Sequence, residues 1–430
     1  MSTLAYTAHQ EVVVVGGGQA GLSLSHYLQE RGIGHVVFEK HSAMHVWRDN
    51  RWDSFTLVTP NWQCKLPGHD YAGPDPHGFM TKAEILGYLD AFKAKVNAPL
   101  REGVVVERVS PRAQGGFEVR SSDGVCTADQ VVVASGGYHL PIVPRMAERL
   151  PPAVLQLHSE QYRNAQALPA GRVLVVGSGQ SGAQIAEDLH LAGREVILAV
   201  GSAPRCARFY RGKDVVDWLA DMNYYDLSVQ EHPLREGVRD NTNHYVTGRD
   251  GGRDVDLRRF ALEGMQLYGT LAGLDGGVLR FKPDLASNLA HGDGIYNGIN
   301  ASIDRYIEQN GIDAPPGGAY VPVWSPRSER TALDLADARI GAVVWCIGFQ
   351  PDFTWLDAPV FNGRGQPTHL RGVTHQPGLY FLGLPWLHTW GSGRFSGVAR
   401  DALYLAERIE AHRRSRSGGV PAATREVSFA

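Results

Sequence analysis

Paired cysteines are missing from this chain of 430 residues: Cys64, Cys126, Cys206 and Cys346 stand apart, with no Cys-x-x-Cys among them. Scattered thiols build neither a disulfide framework nor a zinc site, and no metal is expected. Long apolar runs are missing too. Nothing approaches the roughly 20 residues that span a bilayer, and the first ten residues have neither the basic start nor the apolar stretch of a signal peptide. There is also little charge imbalance, with a formal net charge of -3 and both signs mixed along the chain. That balance offers no electrostatic reason for a nucleic acid or an anionic membrane as partner. The expectation is a soluble, cytoplasmic protein with no membrane or nucleic-acid partner, long enough for two or three domains.

Against these absences stands a repeated grammar. The apolar run 11–15 is followed by Gly16-Gly17-Gly18-Gln19-Ala20-Gly21 and a helical pattern over 22–28. The run 172–176 is followed by Gly177-Ser178-Gly179-Gln180-Ser181-Gly182 and a helical pattern over 183–191. Each reads as a buried parallel strand, a tight glycine turn and a helix, and each leads to another apolar strand, at 35–38 and 195–200. That is a βαβ unit, twice. Between them lie a Trp- and Pro-rich stretch over 47–76, a helix expected over 81–96, and short strands at 104–106, 117–119 and 130–133. Strand patterns return at 342–348 and 378–383, and a final helix is expected over 397–412. The economical architecture is α/β, with two Rossmann-like dinucleotide-binding domains, one inserted into the other. The outer domain would cover 1–150 and 330–412, and the inner would fill 151–329, with a less periodic, substrate-shaping part over 210–320. Residues 413–430, rich in Ser, Gly and Arg, are expected to form a disordered tail.

A Gly-x-Gly-x-x-Gly turn lets the backbone pass close to a pyrophosphate, which then sits at the positive end of the following helix. One such match is weak; two, each between a strand and a helix, point to two dinucleotides. In the first unit the binding candidates are Gly16, Gly18, Gln19, Ala20 and Gly21, with Glu39 closing the second strand and Lys40 beside it. Glu39 lies 39 − 16 = 23 residues past Gly16, close to the ~20 at which a carboxylate accepts from ribose hydroxyls. FAD or NAD fits there, and Val105 joins the set. In the second unit the candidates are Gly177, Ser178, Gly179, Gln180, Ser181 and Gly182, and the same offset lands on Val200. No acid stands there, while Arg205 and Arg208 follow, so this site leans to a 2′-phosphate and hence NADPH. A plain structural role for the two arginines stays open. A chain that binds both dinucleotides passes hydride from nicotinamide to flavin. Without a thiol pair, the electrons then leave to oxygen, a quinone or another acceptor.

Here the sequence resembles the class B flavin-dependent monooxygenases, the group of flavin-containing monooxygenases, plant YUCCA enzymes, N-hydroxylases and Baeyer–Villiger enzymes. The resemblance spans about 11–410. It is carried by the two glycine turns, Trp47-Arg48, Thr59-Pro60-Asn61, His158-Ser159-x-x-Tyr162, Cys346-Ile347-Gly348-Phe349 and the closing segment 378–383. It implies FAD on the first unit with Trp47 and Arg48 beside it, NADPH on the second, and Asn61 as the catalytic amide facing the isoalloxazine. Read without the family, Asn61 is a turn residue. The resemblance further implies that NADPH reduces FAD, that O₂ adds as a C4a-(hydro)peroxyflavin, and that one oxygen reaches nitrogen or sulfur of a small substrate. A homodimer is compatible with it.

The family fingerprint is half present. His158 and Tyr162 are in place, but Pro152 and Val154 stand where Phe and Gly belong. His158 is therefore read as a linker residue, and Tyr162 speaks against Baeyer–Villiger chemistry. The altered fingerprint keeps two rivals: an NAD(P)H oxidase or reductase serving a quinone or partner protein, and a low-turnover redox sensor regulating a transport partner. Trp386, His388 and Trp390 read equally as pocket lining or as packing.

Overall fold

In a computed structural model describing residues 8–416, the two glycine-turn units form the parallel parts of two separate sheets. Val12, Val13 and Val14 have no exposure at all, because both faces of the first sheet are covered; that is why the strand reads as an unbroken apolar run. The strand His9–Val15 lies parallel between His35–Glu39 and the long strand Gly124–Val133. Leu100–Glu102 extends one edge, Leu379–Phe381 pairs parallel with Gly124–Val133, and Phe117–Ser121 and Val106–Pro111 continue the sheet as an antiparallel ribbon.

The second sheet runs Leu155–His158, Ile340–Trp345, Arg172–Val176, Val196–Ala199 and Gln266–Tyr268, all parallel. The expected resumption of the outer domain at 330 is therefore too early. Ile340–Trp345 is the direct neighbour of Arg172–Val176, with Val176 opposite Trp345, and the chain rejoins the first sheet only at Leu379–Phe381. A buried apolar strand needs neighbours on both edges, but its pattern does not say which sheet supplies them. An antiparallel layer of Leu271–Asp275, Val278–Phe281 and Ala332–Asp334 packs Leu274, Leu279 and Phe281 against Leu174, Val176 and Trp345 of this sheet. The two chain crossings between the sheets pair with each other, Leu140–Pro141 against Phe349–Gln350.

Helix Gln19–Glu30 is covered by the final helix, Val398–Arg416, through Leu24, Leu28, Leu405 and Ile409, all fully buried. That helix runs past the expected end at 412. Its last turn is held by Arg413 on Glu11 and Arg416 on Asp129, at 2.9 and 2.7 Å, so the tail cannot begin at 413. The rest of the expected tail, 417–430, lies outside the described residues. Helix Lys82–Val96 starts on a capping box between Thr81 and Glu84, and Asn97 closes it in the left-handed region. Among the described residues no helix is long and apolar enough to cross a membrane.

The two glycine turns are built alike. Gly16 and Gly177 take φ of +115° and +101°, open to glycine alone, and a Cβ on either would stand 2.5 Å from a carbonyl oxygen, of Ala134 or Cys346. A Cβ on Gly21 would lie 1.9 Å from the Gly16 oxygen, and one on Gly182 equally close to that of Gly177. Each helix thus rests directly on the turn that starts it. Gly21→Ala or Gly182→Ala is expected to cost about 3 kcal/mol, the upper range of overpacking. The loss should appear as a lower midpoint in denaturant unfolding, and an unchanged midpoint would contradict this packing.

Candidate functional site

A cavity of about 830 Å³ is lined by residues of both folds. From the first turn come Gly16, Gly18, Gln19 and Ala20, and from the neighbouring strand ends Glu39, Lys40 and Val105. From the second fold come Gln180, Leu219, Tyr225, Asn243 and His244.

The middle glycines are the informative ones. Gly18 has an ordinary φ of -78°, and a Cβ there would meet nothing within 4 Å. Gly179, at φ -66°, would meet only Thr242 Cγ2 at 3.8 Å. Neither needs to be glycine for the chain's own sake. Bare backbone there suits a bulky anion drawn close to the first-turn N–H groups, which no side chain caps. The residues therefore fit a dinucleotide pyrophosphate at each turn.

Glu39 accepts from the backbone N–H of Gly17 at 2.7 Å and of His41 at 2.9 Å. Each carboxylate oxygen retains a lone pair for a ribose hydroxyl. Val105 has its N–H taken by Ser122 Oγ, while its C=O, accepting once from Ser122 N–H, keeps one lone pair. Trp47 donates from Nε1 to Gln19 Oε1 at 3.2 Å and stacks on Phe395 at 4.9 Å, while Gln19 donates to the Gly393 carbonyl at 2.9 Å. This chain of contacts ties the first glycine turn to the approach of the final helix.

Two expected residues are displaced by near neighbours. Arg48 points away from the cavity into an exposed ion pair with Asp90 at 2.6 Å. Arg51, four residues past Trp47, lines the cavity instead, over the rings of Trp47 and Phe55 at 5.2 and 5.4 Å. Burial pulls its guanidinium down to about 10. Asn61 is likewise turned away. Its Nδ2 donates to the Asp75 carbonyl at 2.9 Å and its Oδ1 accepts from Met80 N at 2.7 Å, so both ends of the amide hold the loop 75–80. The turn role prevails. Gln63, at the end of the same short turn, lines the cavity at 2% exposure with neither amide atom hydrogen-bonded. Leaving such an amide unpaired costs about 1–3 kcal/mol, which marks it as a group facing a ligand.

At the second turn, Ser178 Oγ bridges both backbone groups of Gly201, and the Gln180 amide pairs with both of Val246. Ser181 is half-buried in the first helical turn. Of these candidates Gln180 alone lines the cavity.

Comparison with known proteins agrees with this geometry. Residues 13–232 match the family described as pyridine nucleotide-disulphide oxidoreductases. A Geobacillus kaustophilus protein, described as an uncharacterised CzcO-like oxidoreductase, is 32% identical over 408 residues, covering 94% of this chain and 99% of that one. Rice indole-3-pyruvate monooxygenase YUCCA4 is 30% identical over 344 residues, 74% of this chain and 76% of its own. The chain belongs to the class B flavin-dependent monooxygenases of this family. The same two-fold α/β architecture is found in a flavin-containing monooxygenase from Stenotrophomonas maltophilia, with a TM-score of 0.61, 22% identity, and coverage of 95% and 100%.

In this monooxygenase the thiols are set aside. All four cysteines are free and buried, and burial pushes Cys206, which lines the cavity, up to about 12. It holds no thiolate at neutral pH. His158 ends strand Leu155–His158 of the second sheet, where its Nε2 meets the Gly348 carbonyl at 3.1 Å and its ring meets Phe349 of the return crossing edge-on. Tyr162 donates to Asp188 at 2.6 Å, and the same carboxylate accepts from Ser54 and Arg249. Trp390 lines the cavity. Trp386 packs with Val229 and Val238 instead, and His388, lowered to about 4 by burial and two nearby arginines, stays neutral outside the lining.

The monooxygenase does not use Arg205 and Arg208 as expected. Arg205 is 4% exposed, lies over Tyr296 and Tyr320 at 4.6 and 4.0 Å, and pairs with Asp293 at 3.2 Å and Asp256 at 3.6 Å. Arg208 has no exposure, donating to the Val58 carbonyl at 2.7 Å and to Asp214 at 2.6 Å. Both are interior ion pairs, closed to a 2′-phosphate. Removing one partner of such a pair strands the other charge. Arg205→Ala and Arg208→Ala are expected to lose about 3–5 kcal/mol of stability while leaving the NADPH-to-NADH ratio of kcat/KM unchanged. A collapse of that ratio would restore the original reading.

Proposed function

We propose that this chain is a cytoplasmic FAD- and NADPH-dependent monooxygenase that places one oxygen atom of O₂ on nitrogen or sulfur of a small substrate. The observation that carries the reading is a single cavity that starts at the first glycine turn and is walled by the second fold. Flavin, reductant and substrate would meet there. The bound flavin supplies hydride acceptance and oxygen activation; the chain supplies position and dryness. In the proposed arrangement the fold of the first sheet is the FAD domain and that of the second sheet the nicotinamide domain.

Each role falls on residues already described. Gly16, Gly18 and the first turn of helix Gln19–Glu30 would hold the FAD pyrophosphate, and Glu39 its ribose. Lys40 and Arg51 add positive charge near these anionic parts. The positive end of helix Val398–Arg416 favours negative charge on the reduced ring. Gly177, Gly179 and Ser181 would hold the nicotinamide coenzyme. Val200 supports NADPH because no carboxylate stands there to repel a 2′-phosphate. Val215, Val216 and Leu219 line the cavity with apolar surface that excludes water from the reacting atoms. Gln63 takes over the amide role expected of Asn61, donating a hydrogen bond without releasing a proton. Buried single thiols fit a reducing compartment and leave no route for thiol–disulfide exchange.

The decisive experiment is anaerobic reduction by NADPH, mixing with O₂ beside a panel of amines and thioethers, and counting oxygenated product against hydrogen peroxide. Product formation coupled to NADPH is expected; peroxide alone with every compound would favour an oxidase. Gln63→Leu should keep FAD bound yet raise the peroxide share on the order of tenfold, the worth of one hydrogen bond. Gly18→Ala should leave the melting temperature of the cofactor-free protein in place and weaken FAD retention at least about tenfold, since its methyl fills only the space kept for the pyrophosphate.

A further inference from the structure

A second cavity, of about 350 Å³, shares no lining residue with the main one. Its size falls at the lower end of the range for small-molecule sites. Both cavities border the long helix Leu285–Gln309. Ile299 lines the main cavity, whereas Asn297, Asn300, Ala301 and Asp304 line the second. Those four stand at i, i+3, i+4 and i+7, which is one face of a helix. Tyr210, Arg211 and the small residues Gly317, Gly318 and Ala319 complete the wall.

One polar group in this wall is unmatched. Asn300 is 3% exposed, and its Oδ1 has no hydrogen-bond partner. Its neighbours on the helix are engaged. Asn297 Oδ1 accepts from the Tyr320 N–H at 2.7 Å, and Asp304 accepts from Tyr210 Oη at 2.8 Å and Arg211 Nη1 at 3.0 Å. An orphaned amide oxygen costs stability, and a leucine of similar size would spare the fold that cost. The polar side chain at 300 therefore points to a ligand.

The charges and the open space narrow the ligand's chemistry. Among the described residues the lining carries one cation and one anion, and these are paired with each other. No net charge awaits an ion. What the wall offers is acceptors: Asn300 Oδ1 and, one helical turn on, a carboxylate that keeps a lone pair on each oxygen. Acceptors so spaced suit a molecule with several O–H donors. Room for it is kept at Gly318, where a Cβ would meet nothing within 4 Å.

We propose that this cavity is a second binding site, for a small uncharged molecule rich in hydroxyl groups, such as a monosaccharide or cyclic polyol. Its hydroxyls donate to Asn300 Oδ1 and to the Asp304 carboxylate. The site stands apart from the main cavity, so its occupant is not the substrate proposed above, and the assignment does not rest on the monooxygenase reading.

The test is saturation-transfer NMR on FAD-loaded protein with myo-inositol, D-glucose, cyclohexanol and n-butylammonium. Cyclohexanol keeps the ring with a single hydroxyl, and n-butylammonium offers a cation instead. Myo-inositol or glucose should bind saturably and more tightly than either control, by on the order of tenfold. Asn300→Leu should weaken that binding by about tenfold, the worth of one hydrogen bond. Its melting temperature should hold or rise, because an unpaired buried oxygen is removed; an amide serving the fold alone would lower it. Gly318→Val fills the cavity from an exposed position, and should abolish binding without moving the melting temperature. FAD content should hold in both variants. The proposal is overturned if neither hydroxyl-rich probe binds saturably, or if cyclohexanol or the ammonium ion binds as tightly. Binding that survives Gly318→Val also overturns it, and that variant decides the matter even where Asn300→Leu does not fold.

Discussion

The close seating of each helix on the turn that begins it is the constraint on which the rest of this molecule depends. Gly21 lies against the Gly16 carbonyl and Gly182 against that of Gly177 with no room for a methyl group. This contact aims the helix N-terminus at the open backbone of Gly18 or Gly179. It also sets where the following strand ends, and hence where Glu39 stands. Because both units share it, the protein has two helix starts of the same build on two sheets, and the cavity lies where residues of both meet.

Holding the two folds together falls to polar groups more than to a shared sheet. Asp188, on helix Gln180–Leu191, accepts from Ser54 of the first fold, from Tyr162 of the connecting segment and from Arg249. Arg208 reaches from the second fold to the Val58 carbonyl. His158 fastens the end of its second-sheet strand to the return crossing through Gly348. These contacts are buried and matched, and they set the walls of the cavity without entering it. The fingerprint residues His158 and Tyr162 thus act through alignment of the folds, which explains how the motif can lose two of its positions while the architecture persists.

The matched groups throw the unmatched ones into relief. Arg205, Arg208 and Arg258 are paired with carboxylates, while Arg51 and Arg394, half-buried, line the cavity. Interior amides hold loops, as Asn61 does, or face the cavity unbonded, as Gln63 does. Gln63 is one of the few such groups at the main cavity; others, such as Arg205 Nε and Asn300 Oδ1, lie away from it.

Much of this was legible in the residues alone. Strand, glycine turn and helix were readable because each rests on local geometry: a left-handed φ at Gly16 and Gly177, bare backbone at Gly18 and Gly179, and valine runs buried on both faces. Glu39 was readable because the length of a βαβ unit fixes its place. The sequence by itself therefore determined two dinucleotide-binding turns and the family. Only the tertiary structure decided which side chains reach the cavity. Arg48 and Arg51, or Asn61 and Gln63, are close neighbours of similar chemistry, and nothing local distinguishes the one facing outward or into a loop from the one facing the cavity. Arg205 and Arg208 sit where a phosphate clamp is expected, yet Asp256 and Asp293, brought in by distant segments, claim the first, and Asp214, in the adjoining turn, claims the second. Ile340–Trp345 fits either sheet by its pattern, and its partner was settled by the strand beside which it could be buried on both faces. Side-chain direction and strand partnership depend on what the rest of the chain brings alongside, and sequence spacing does not carry that information.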